Sequence, residues 1–178
     1  MSASARLDFV ITIGKFLFFR VGTGSYPHTN PTIDTVSATL TPQVPPTGAI
    51  SVPGNAQSVA WSGAAPTFVS PAPVSLPVEV QSNTGPIRIT AGVTGPLSSL
   101  EGQNIPMSSV QITSSNPTDF PAPPVPNTGT GTSVQVTGTA FSGLVTNRTA
   151  SWNFAITPVA APVAGQYTGR ITFTATTP

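Results

Sequence analysis

The chain has 178 residues, only 6% of them charged, and its six basic and five acidic side chains leave a net charge of +1. Soluble domains carry roughly 25% charged residues, and a nucleic-acid binder needs clustered Lys and Arg, so so little charge excludes that class. Disordered chains are usually charged and poor in aliphatic residues, whereas this one is 38% hydrophobic and holds 27 Thr, 19 Ser, 21 Pro and 16 Gly.

Such a composition favours strands joined by turns and leaves little helix-forming material. The length fits one domain, or one domain with an extension. Cysteine is absent, which removes disulfides and thiolate metal sites. Net charge near zero promotes association, so the composition suits a surface or secreted protein that assembles by design.

Residues 6–21 (RLDFVITIGKFLFFRV) are the most apolar stretch. They are too short for a membrane span and are interrupted by Asp8, Lys15 and Arg20, and they lack the order of a signal peptide. Ser2-Ala3-Ser4-Ala5 looks like the mature side of a small-residue cleavage region. The expectation is that a signal peptide has been removed and that Met1 is foreign to the mature chain.

Before Gly14-Lys15, the residues Leu7, Phe9, Ile11 and Ile13 alternate with Asp8, Val10 and Thr12, the period of a half-buried strand. After it, Phe16 to Phe19 are apolar on both faces, which predicts a strand covered on both sides. Gly14 and Lys15 form a hinge, since glycine bends a strand without a Cβ penalty. The two pieces can therefore belong to two sheets, or to two molecules.

Residues 22–31 read as a loop and 32–41 as a strand, followed by a long proline-bearing loop over 42–55. A short strand is predicted over 57–61 and a loop over 62–73. Residues 74–81 (VSLPVEVQ) alternate, with Pro77 outward, which predicts an edge strand. Ser82-Asn83-Thr84-Gly85 then reads as a hairpin-like turn into the alternating 86–93. Loop 96–106, strand 107–113, an irregular proline-rich 114–132, and short strands over 133–139 and 141–145 follow. Residues 149–157 put Ala150, Trp152, Phe154 and Ile156 on one face, and 165–176 alternate Tyr167, Gly169, Ile171 and Phe173. Roughly nine or ten short strands at this spacing predict an all-β antiparallel sandwich.

Chemistry is hard to find. His28 is the only histidine, and the five acids are scattered, so neither a metal set nor a hydrolytic triad is apparent. No glycine-rich phosphate loop precedes a helix. The expectation is a protein that is not an enzyme and has no cofactor. Tyr26 and Trp61, with Phe68 and Phe120, lie in or beside predicted loops and are candidate ligand-binding aromatics, although aromatics near strand ends usually cap the core.

The remaining signal is the segment Leu7 to Ile13. Exposed strand edges are sticky, and soluble proteins blunt them with charge; here a single charge, Asp8, interrupts an apolar alternation near a chain terminus. Such a segment can add itself to another subunit's open sheet. Burying its four apolar side chains contributes roughly 6–12 kcal/mol before ordering costs. It can equally be the first strand of its own sheet, and the residues alone leave both readings open.

The stretch 164–176, AGQYTGRITFTAT, resembles the closing strand of spore-coat-U-like and related chaperone–usher pilins, which tend to end in Ala-Gly-x-Tyr-x-Gly/Asp followed by alternating Thr and Val. The N-terminal apolar strand also looks like that group. The resemblance implies an incomplete immunoglobulin-like β-sandwich, residues 15–178, with a projecting N-terminal donor strand, residues 1–14. It also implies donor roles for Leu7, Phe9, Ile11 and Ile13. The partners implied are identical subunits in a filament, with a periplasmic chaperone and an outer-membrane usher during assembly, and the place is an extracellular cell-surface fimbrium. No nucleic acid and no membrane insertion are expected. Two departures stand out: the disulfide of many pilins is missing, and the apolar segment continues through Val21. A secreted monomeric adhesin or carbohydrate-binding module is the main alternative, and a virion structural protein the second.

Overall fold

The computed structural model describes residues 1–24, 33–44, 48–49, 65–157 and 162–177. These residues form thirteen strands: β1 Leu17–Val21, β2 Thr41–Val44, β3 Gly48–Ala49, β4 Thr67–Val69, β5 Val74–Ser82, β6 Ile87–Val93, β7 Leu97–Ser98, β8 Asn104–Ile105, β9 Val110–Ser114, β10 Gly129–Thr130, β11 Val134–Val136, β12 Thr146–Ile156 and β13 Ile171–Thr176. The only helical turn among them is a 3₁₀ turn over Met107–Ser109. The protein is all-β, with antiparallel pairing throughout.

One sheet runs in the order β1-β5-β12-β9. In a second sheet β6 is flanked by β13 on one side and by β10 and β11 on the other. The two sheets bury a common core. Val78 and Val80 of β5 and Trp152 and Phe154 of β12 meet Ile87 and Ile89 of β6, Val136 of β11 and the loop residue Phe120. Alternation explains the choice of side chains: every second residue of β5 and β6 faces the core, and Ile87, Ile89, Ala91 and Val93 are all buried. Trp152 sits at the centre, with Phe120, Phe173 and Phe19 rings at 5.9, 5.1 and 6.4 Å, the first two edge-on to the indole.

Several sequence-based expectations need correction. The first strand of the body starts at Leu17, and residues 7–13 form no strand within the chain. Residues 33–40 are not a strand either; β2 begins where that prediction ended, and β2, β3 and β4 form a small sheet in segments read as loops. β5 is not an edge strand but lies between β1 and β12. Its proline is tolerated because the Pro77 carbonyl, accepting from the Gly22 N–H at 2.8 Å, faces the β1 side one residue past the last pair, Val21↔Val78. The N–H that proline lacks thus falls where β1 has already ended. The turn after β5 does not close a hairpin: β5 and β6 belong to different sheets, and Gly85, with φ of 98°, carries the chain from one to the other. Thr146, fully buried beside it, donates its hydroxyl to the Gly85 carbonyl at 2.8 Å.

Loop 96–106 contains the β7–β8 hairpin, and the predicted strand over 141–145 is a turn in which Phe141 and Ser142 take positive φ. The strand expected over 57–61 lies outside the described residues.

Candidate functional site

The N-terminal segment carries its apolar side chains into solvent. Leu7, Phe9, Ile11 and Ile13 are 76%, 81%, 83% and 81% exposed, and Val10 is exposed as well. Monomeric proteins rarely leave so many large apolar groups uncovered in one short stretch. Both sides of the segment are exposed, so the period-two pattern does not arise from packing inside this chain. No strand of the described residues pairs with it.

The root of the segment is fixed. The Ser82 hydroxyl donates to the Phe16 carbonyl at 3.0 Å. The Asn83 carboxamide then donates from Nδ2 to the Gly14 carbonyl at 2.7 Å and accepts from the Phe16 N–H at 2.9 Å. These two bonds flank Lys15. They stand where the next residue of a paired strand would place its own peptide groups, so the side chain of Asn83 extends the β1–β5 ladder beyond Leu17↔Ser82. At the predicted hinge, Lys15 is exposed, and a Cβ added to Gly14 would meet nothing within 4 Å. Residues 14–16 continue the line of β1 past the turn that leads to β6.

A second feature lies along one side of the body. β1 is the last strand of its sheet and β13 the last of the other; neither has a second strand partner among the described residues. Both contribute to the same end of the core, because Phe19 and Phe173 contact Trp152 from the two sides. On β13 the half-buried Ile171, Phe173 and Ala175 alternate with the exposed Thr172, Thr174 and Thr176. On β1 the half-buried Phe19 and Val21 pack against the core, while Arg20 points outward to an ion pair with Glu79 at 3.0 Å. Val36, from the segment after Asp34, packs on the core too. The result is a seam between two sheet edges, with apolar side chains half-covered along it.

The polar clusters of the body are engaged with one another. Asp119 accepts from the Thr137 hydroxyl at 2.9 Å and pairs with Arg148 at 3.2 Å. Among the described residues, no three of His, Cys, Asp and Glu come together as a metal site would require. Phe120 is fully buried core. Tyr167 is half-buried and donates its hydroxyl to the Val163 carbonyl at 2.8 Å. Tyr26, Trp61 and His28 lie outside the described residues.

The residues that frame the seam, Phe19, Trp152 and Phe173, read from the sequence as strand or core positions, and nothing in their spacing shows that two of them sit on strands at the edge of their sheets among the described residues. Asn83 reads as a turn residue; its use as a ladder extension has no sequence signal. No protein-family model matches the chain, and no curated protein matches it in sequence.

Proposed function

We propose that the protein is a structural subunit of an extracellular bacterial fibre, an incomplete immunoglobulin-like sandwich that polymerises by lending residues Leu7 to Ile13 to a neighbouring subunit. The observation that carries the reading is the pairing of two features in one chain: an exposed alternating apolar segment and a half-covered apolar seam between β1 and β13, the last strands of their sheets among the described residues.

Their dimensions agree. Seven residues in strand conformation span about 23 Å and the six residues of β13 about 20 Å. A strand added along β13 supplies backbone partners to the edge that no described strand pairs with and covers Ile171, Phe173 and Ala175 with its inward side chains. The donor and acceptor surfaces differ, so each added subunit presents a fresh end and the contact propagates as an open filament. The role of this chain is structural, with no catalysis. A subunit with a half-covered apolar seam needs a protector before assembly, a role suited to a periplasmic chaperone, with an outer-membrane usher at the exit.

Negative-stain electron microscopy of the intact chain beside a version starting at Lys15 tests the proposal. Linear fibres from the intact chain alone are expected. Monodisperse particles from both, with the terminus shown not to be inserted in its own seam, would overturn it in favour of a monomeric binding module.

A further inference from the structure

We infer that Asn83 is a positioning residue that directs the N-terminal segment toward a neighbouring copy rather than into the chain's own seam, an inference that rests on the strand-addition reading above. A chain with both a free apolar strand and a seam to receive it has two ways to bury them. The segment can enter another subunit, or it can reverse after its last body residue and run back along the outer edge of β1. The second route ends polymerisation, since a self-filled subunit has neither donor nor acceptor to offer.

Local sequence does not prevent the reversal. A Cβ at Gly14 would meet nothing within 4 Å and Lys15 is exposed, and glycine admits the backbone conformations that a tight turn requires. What opposes it is the carboxamide of Asn83. Its Nδ2–H to the Gly14 carbonyl, 2.7 Å, and its acceptance of the Phe16 N–H, 2.9 Å, hold the two peptide groups on either side of Lys15 in the extended line of β1. A turn at Gly14-Lys15 rotates those groups away and breaks both bonds. The Ser82 hydroxyl, bonded to the Phe16 carbonyl at 3.0 Å and to Thr84 at 2.7 Å, pins the next residue. Asn83 itself is placed by its position directly after Ser82, the last residue of β5. It combines a donor and an acceptor on one planar group, which is what a peptide edge requires.

The test is refolding of the full chain from denaturant at one fixed concentration, without chaperone. Polymer and monomer are separated by size exclusion, and hydrogen exchange of residues 7–13 is read in the monomer. The native sequence should yield linear polymers. Asn83→Ala should lower the polymer-to-monomer ratio about tenfold, equivalent to about 1.4 kcal/mol, and the extra monomer should show residues 7–13 protected. Asn83→Asp, which keeps the acceptor for Phe16 but loses the donor to Gly14, should fall between the two, and it serves alone if the alanine variant does not fold. An unchanged ratio in the variants, or extra monomer with residues 7–13 unprotected, overturns the role of Asn83 while leaving strand addition standing. A native chain that forms no polymer overturns both.

Discussion

Ile11→Asp separates the folding of the body from its assembly. Ile11 is 83% exposed and touches no core residue, so on the proposed strand addition almost all the benefit of burying it is realised only on insertion. That benefit is about 2 kcal/mol for a side chain of this size. A carboxylate at the same place forfeits it and adds at least about 2 kcal/mol for an unpaired charge taken out of water. The sum, at least about 4 kcal/mol, lowers the subunit–subunit association constant roughly a thousandfold. The body should not notice, because surface changes away from packed features fall within about 0.5 kcal/mol, which is at most about 2 °C in melting temperature for a domain of this size. The assay pairs light scattering of the assembling chain with a thermal melt of the monomer. Loss of polymer with an unchanged melt is expected. A polymer yield within twofold of the native chain refutes the assignment of Ile11 as donor, and a large fall in melting temperature refutes its lying outside the folded body.

Three changes test the body. Trp152→Ala removes the ring that Phe19, Phe120 and Phe173 all contact, and should cost about 3–5 kcal/mol in a denaturant titration. Gly138→Ala would bring a Cβ within 2.1 Å of the Gly143 carbonyl oxygen; because backbone must move, a loss of about 1–3 kcal/mol is expected in the same titration. Arg148→Met removes the bonds to the Thr137 carbonyl and hydroxyl at 3.1 and 2.9 Å together with the Asp119 pair. It should cost about 1–2 kcal/mol, more than Asp119→Asn, because the partly exposed ion pair alone is worth less than about 1 kcal/mol.

What could be read from the sequence follows the physics of strands. Alternation is a local property, so β5, β6, β12 and β13 were visible wherever inward Val, Ile, Trp and Phe recur at every second residue. Pairing is not local. Pro77 suggested an edge because proline lacks a donor, yet β1 simply stops beside it, and that depends on a segment far away in the chain. Ser82-Asn83-Thr84-Gly85 has hairpin chemistry, but the strands it joins lie in different sheets, β5 between β1 and β12 and β6 beside β13.

The segment 7–13 was legible as a strand in composition but not in place. Its side chains carry the pattern of burial without the burial, which the alternation of Leu7, Phe9, Ile11 and Ile13 cannot distinguish from an ordinary first strand. The seam was not legible at all, because it lies where no described strand pairs with the second edge of β1 or β13. The short strands β2, β3 and β4 were missed because proline- and glycine-rich sequence mimics loop, and two to four residues give no period to detect.

A reconstruction of the assembled filament at a resolution that traces side chains addresses strand addition most directly. Density for Leu7, Phe9, Ile11 and Ile13 of one subunit lying between β1 and β13 of the next is the expected result. A filament whose seams are filled by each subunit's own terminus, or whose subunits touch only through other surfaces, would contradict it.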